Sequence, residues 1–182
     1  MASAITHFIV GASLALPAMD AAPLQQVLPR WAIPVTAGLF AVAPDLDTYA
    51  MFAFDIPRHS LFSHRGFFHS PAFLIVLAMA VAWLVTRSRT AVLLGAVWAG
   101  AAITHPLLDM LTDGGSGVML LFPFSEDRLF FPWRPIRVSP LGIVRFFDRA
   151  GEILASEAPF AAAALAIGLA TRFVAARLRL PA

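Results

Sequence analysis

His64-Arg65-Gly66-Phe67-Phe68-His69-Ser70 runs directly into Pro71 and a long apolar segment, placing two of the chain's five histidines, an arginine and a glycine against the start of a helix. Ser70-Pro71 has the chemistry of a helix start. A serine hydroxyl can accept from the free backbone N–H groups of a first turn, and proline loses nothing there. The stretch therefore reads as a polar hinge at one end of an apolar helix. His64 and His69 lie five residues apart and share no helix face. They converge only if the chain turns near Gly66, where no Cβ hinders the turn.

The rest of the chain says which solvent surrounds that hinge. Its 182 residues are 59% hydrophobic and 13% charged, with mean hydropathy +0.79. That is far more apolar than a soluble domain requires, and it points to an integral membrane protein with the bilayer as its partner. Cysteine is absent, which excludes disulfides, thiolate metal sites and Cys nucleophiles, so any metal must be held by His and carboxylate. All thirteen basic residues are arginines, scattered through the connecting segments rather than gathered on one stripe. Nucleic acid is therefore not expected as a partner, and the arginines read as interface anchors. The first residues lack the basic region of a signal peptide and are expected to remain in the mature protein.

Residues 2–16 and 28–43 form apolar segments of about 15 residues, or about 23 Å of helix against a hydrocarbon core of roughly 30 Å. Whether they tilt little, thin the bilayer or form a re-entrant hairpin, His7 and Asp45 return to the same end. The second segment stops at Pro44-Asp45-Leu46-Asp47, where a proline and two carboxylates cannot continue into hydrocarbon. Residues 48–63 form a connector in which His59 is expected at the surface. The third and fourth apolar segments, 70–86 and 90–111, are joined by a hairpin turn at Arg87-Ser88-Arg89. Residues 112–156 read as a long loop, ordered by its aromatics and prolines into an interfacial cap. Residues 159–176 form the last apolar segment, followed or ended by Arg172, Arg177 and Arg179. The expected fold is all-α: one domain over 1–182, an integral membrane bundle of about five apolar helices with a long interfacial loop. Five crossings would bring His7, Asp45, Asp47, His64, His69, His105 and Asp109 to one side.

His105-Pro106-Leu107-Leu108-Asp109 sets an imidazole and a carboxylate at i and i+4. That spacing suits two ligands of one cation, or a ligand and its orienting carboxylate, and equally a polar pair that satisfies itself. Asp45 and Asp47 can offer direct or bridging oxygens. His7 alone needs only an interfacial hydrogen bond, and it is recruited by its position at the shared end. Together these histidines and carboxylates suit zinc or manganese. Arg65, with Arg128, Arg134 and Arg137 from the loop, can hold a phosphate by paired hydrogen bonds. A carboxylate not fully engaged by metal, Asp45 or Asp47 foremost, can take a proton from water. The competing class is a channel, transporter or proton relay, which predicts ionisable groups spread through the membrane thickness. The zinc-protease pattern His-Glu-x-x-His does not occur.

In chain order, His7, Pro44-Asp45-Leu46-Asp47, His64 to Ser70, and His105-Pro106-Leu107-Leu108-Asp109 with Thr112 and Gly115 resemble the YdjM-like membrane-bound metal-dependent hydrolases over most of the chain. That family looks distantly similar to zinc-dependent phospholipase C and the S1/P1 nucleases, which share a His, Asp, His, His-x-x-x-Asp order of metal ligands. The resemblance implies a phosphoester hydrolase with one to three zinc ions. Those soluble enzymes add late ligands, whereas no histidine follows His105 here. Two ions are the economical expectation, and a third would need Asp113, Asp127, Glu152 or the N-terminal amine. An interfacial site under an aromatic loop points to an amphiphilic phosphoester. Arginines in the short turns of the opposite face make that face cytoplasmic, so the site is expected to look out of the inner membrane to the periplasm or exterior.

Overall fold

Ser70 caps the helix that the opening stretch leads into: its hydroxyl accepts from the Phe73 N–H at 3.3 Å, and Pro71 occupies the first turn. The computed structural model describes residues 1–140 and 143–178, and Arg179 lies outside them. Among the described residues the secondary structure is helical, with two isolated β-bridges and no strand. In chain order the helices are α1 Ala4–Leu14, α2 Ala22–Gln25, α3 Ala32–Val42, α4 Asp47–Ala53, α5 Pro71–Thr86, α6 Thr90–Met110 and α7 Ile143–Leu178. Short 3-10 turns at Leu16–Asp20, Ala43–Leu46 and Phe67–His69 interrupt this order.

α5 and α6 form the expected hairpin, closed where Arg87 takes a left-handed conformation (φ 46) and its N–H reaches the Trp83 carbonyl at 2.8 Å. α1 packs on α3 and α7, and α3 packs on α6. The shared core is rich in alanine, including Ala37, Ala41, Ala78, Ala82, Ala99 and Ala101. Small side chains bring helix backbones close, which is how helices associate where lipid removes the hydrophobic drive between them. Trp98 stacks on Phe40 with ring centroids 4.5 Å apart and donates to Thr36 Oγ1 at 2.9 Å.

The molecule is inverted relative to a water-soluble protein. Val76, Trp83 and Leu84 of α5, Val92 of α6, and Ile167, Phe173 and Val174 of α7 are exposed, whereas Arg65, His7, His69, His105 and Glu157 are among the largest fully buried side chains. Apolar residues outward and ionisable ones inward suit a lipid surround.

Among the described residues, two helices rather than five are long and apolar enough to cross a membrane: α6, and α7 over Val144–Leu178. α1 and α3 have 11 residues each and α5 has 16. These lengths are about 17 and 24 Å, short of a roughly 30 Å core. The apolar runs of sequence overestimate the helices because Pro17 converts the end of the first into a 3-10 turn, while residues 28–31 precede α3. Two further boundaries differ. Residues 48–53, expected as connector, belong to α4, and residues 143–156, expected as loop, form the first turns of α7.

The remaining loop is an ordered cap. Phe131 and Ile136 donate N–H groups to the Met110 and Leu111 carbonyls at the end of α6, and Met119 donates to the Arg65 carbonyl at 3.0 Å. Beneath it Ala2, Leu108 and Ile136 make a second small core.

Candidate metal centre

The first turn of α1 carries His7, the 3-10 turn after α3 carries Asp45, and Asp47 opens α4. His64 and His69 precede α5, while His105 and Asp109 lie in the last turns of α6. All seven expected ligand residues converge. Six are buried, and the His64 side chain is 12% exposed. The convergence does not need five crossings; the α5–α6 hairpin and the packing of α1 on α3 are sufficient to bring these ends together.

Four donor atoms define the centre: His69 Nε2, His105 Nε2, Asp45 Oδ1 and Asp109 Oδ2. His69 stands 3.1 Å from His105 and 3.8 Å from each carboxylate oxygen, and His105 stands 3.3 Å from Asp45 and 3.7 Å from Asp109. Ligand distances of about 2.0–2.2 Å around zinc give a tetrahedron with edges of roughly 3.3–3.6 Å. The observed spacings bracket that range. The donors also divide for two cations that share Asp45, as Asp45, His64, His69 and Asp109 on one side and His7, Asp45 and His105 on the other, each set within 4.8 Å.

The charge and hydrogen bonding of the cluster fit a divalent cation. Three carboxylates gather here: Arg65 pairs with Asp109, and His69, raised to about 9, offsets a second negative charge until a metal displaces its proton. Both Asp45 oxygens, both His7 ring nitrogens and His64 Nε2 lack a hydrogen-bond partner in the protein. Burying such groups without compensation costs several kcal/mol, and a cation is the compensation that all of them can share.

Asp47 has a different task from the one its spacing suggested. Its Oδ1 is hydrogen-bonded to His64 Nδ1 at 2.8 Å and its Oδ2 lies 3.1 Å from His69 Nδ1 as an ion pair, so one carboxylate faces the Nδ1 of both rings. With Nδ1 as the donor, each Nε2 keeps its lone pair for a metal. Likewise His105 Nδ1 is 2.7 Å from the Ala41 carbonyl, which turns its Nε2 inward. Burial pushes the Asp47 carboxyl up, but the bonds from His64 and His69 overcome this and hold it at about 2. Burial pushes His69 down, but Asp45 and then Asp47 raise it to about 9. Burial is the main cause that lowers His64.

Arg65 pairs with a carboxylate of the site. It is fully buried, with Nε 3.0 Å from Asp109 Oδ2, Nη2 donating to Thr112 Oγ1 at 2.9 Å and Nη1 to the Gly114 carbonyl at 3.0 Å. These contacts make Arg65 the residue that fixes Asp109. The left-handed residue of the turn is Arg65 itself (φ 65), not Gly66. Gly66 is needed for space, because a Cβ there would collide with the Leu61 carbonyl oxygen.

The loop arginines hold the cap. Arg128 donates to the His64 and Ser60 carbonyls and to Ser63 Oγ. Arg134 lies over the Phe130 ring at 5.0 Å, and Arg137 pairs with Asp113 at 3.0 Å. Glu157 escaped the sequence reading. It is fully buried on α7 and accepts from the Ser3 N–H, the Ser3 hydroxyl and the Thr6 hydroxyl, at the N-terminus of α1 just before His7. A lone acid within an apolar run was the available signal.

The comparisons with known proteins come out on the same side of the membrane question. The model of a family described as YdjM inner membrane protein matches residues 1–179. The inner membrane protein YbcI of Escherichia coli (strain K12) is 34% identical over 123 residues, covering 65% of this chain and 70% of that protein. No solved structure matches. On the extent of the family match, the chain belongs to the YdjM inner membrane protein family.

Proposed function

We propose that this protein is a membrane metal-dependent hydrolase that cleaves a phosphoester of a lipid or lipid-linked substrate at the membrane interface. One observation carries the reading: the buried His69 Nε2 and His105 Nε2 stand 3.1 Å from each other and 3.3–3.8 Å from Asp45 Oδ1 and Asp109 Oδ2, and both of those carboxylate oxygens lack a hydrogen-bond partner in the protein. The donor set suits zinc, with manganese as the harder alternative, and two ions sharing Asp45 use every ligand. When bound, such ions polarise a phosphoryl oxygen and lower the pKa of water towards neutrality.

The chain's own residues have distinct roles in this reading. His7, His64, His69, His105, Asp45 and Asp109 hold the metal. Asp47 keeps two of the imidazoles in the ligating tautomer. Asp45 would take a proton from water through an oxygen that the metal leaves free. Arg65 holds Asp109 in place, and the cap limits water access. The ionisable groups cluster at one end rather than along the membrane depth, which favours an enzyme over a channel or relay. The short turn Arg87-Ser88-Arg89 lies at the other end, which supports a site facing outward.

The test is hydrolysis of bis(p-nitrophenyl) phosphate and a short-chain phospholipid by detergent-purified protein. Chelation abolishes activity and zinc restores it, and Asp45→Asn loses at least about 100-fold, within the range for a general base. Full activity after metal stripping, or in His69→Ala, sinks the proposal.

A further inference from the structure

A cavity of about 400 Å³ opens beside the cluster, with the His64 ring and Arg65 in its lining. His64 belongs to a candidate ligand set and also lines the cavity, so the cavity lies against the metal centre. Its charged lining is entirely basic. Arg58, Arg149 and His59 contribute, and no Asp or Glu does. Arg58 and Arg149 are exposed. Among the described residues Arg58 has no ion-pair partner, and Arg149 meets only the exposed Glu152 at 3.2 Å. An exposed pair of that kind holds an arginine weakly and leaves its other N–H donors free. Met51, Val138 and Pro140 supply an apolar wall. Two exposed arginines with free donors, an apolar wall and the candidate ligand His64 in one lining suit a ligand with an anionic head and an apolar remainder.

We infer that this cavity is an anion subsite in which Arg58 and Arg149 grip a phosphate-type group, so that these two, rather than the cap arginines Arg128, Arg134 and Arg137, determine specificity. The inference rests on the hydrolytic reading for its meaning but not for its test. The two arginines come from different parts of the fold, the connector after α4 and the second turn of α7, so the subsite forms only when α7 is docked.

The test is equilibrium titration of purified, metal-assayed protein in detergent with inorganic phosphate and with dihexanoyl phosphatidic acid. Arg58→Ala and Arg149→Ala each weaken binding by about tenfold, whereas Arg134→Ala changes it less than about twofold. Lysine at either position restores part of the affinity, and metal content is unchanged. Tighter binding of the lipid identifies a membrane amphiphile as the source of the anion, and equal binding identifies free phosphate. Wild-type protein that binds neither probe, or a double alanine variant that binds both as wild type does, overturns the subsite. Arginine-dependent binding without metal-dependent hydrolysis refutes the hydrolytic reading while leaving the subsite standing.

Discussion

Asp47 faces the Nδ1 atoms of two imidazoles at once, hydrogen-bonded to His64 and ion-paired with His69, and so turns the Nε2 of each towards the centre. Replacing it with asparagine leaves every proposed ligand in place. Metal affinity nevertheless falls about 10–100-fold, as measured by competition with a chromophoric chelator, the range for losing an orienting partner. Unchanged affinity would remove that role. His69 titrates near 9 in the protein alone, so it carries a proton below that pH which a metal must displace. Metal affinity therefore rises with pH, by about tenfold per unit while His69 alone is limiting, and levels off above about 9. Titrations from pH 6 to 10 check this, and a flat profile contradicts it. At this scale the sequence was informative about which residue types gather, because His and Asp stand out against an apolar chain. It could not say whether Asp47 ligates or orients, since spacing along the chain carries no information on which atom faces which. For the same reason Arg65 looked like a substrate contact although its partners Thr112 and Asp109 lie more than forty residues away.

Helices α5 and α6 were legible to within a residue or two, because Ser70-Pro71 and Arg87-Ser88-Arg89 mark their ends with unambiguous chemistry. The starts of α3 and α7 were not, since residues 28–31 belong to the apolar run but precede α3, and charged residues 145–152 look like loop but continue α7. Glu157 joins two of these elements. Its carboxylate meets the backbone and hydroxyl donors at the start of α1, where the helix dipole favours negative charge. Glu157→Ala leaves those buried donors without an acceptor and costs about 2–4 kcal/mol. A thermal melt in detergent should fall by several degrees, and an unchanged melting temperature would show that α7 is held by its apolar contacts alone.

The whole molecule carries its polarity inside and its apolar surface outside, with one end reserved for ionisable groups. Composition alone identified the membrane, but helix length separates the two elements able to span it from three shorter ones. Absence of cysteine makes the orientation directly measurable. A thiol placed at Glu126 in the cap is expected to react with a membrane-impermeant maleimide in intact cells, while one placed at Ser88 in the α5–α6 turn is not. The reverse pattern would turn the site to the cytoplasm. The central claim, that the buried His and Asp residues are a metal centre, is tested most directly by elemental analysis of the purified protein. The account predicts one to two equivalents of a divalent transition metal, zinc foremost, reduced by at least half in His69→Ala and His105→Ala. Protein that is folded yet holds no stoichiometric metal would contradict it.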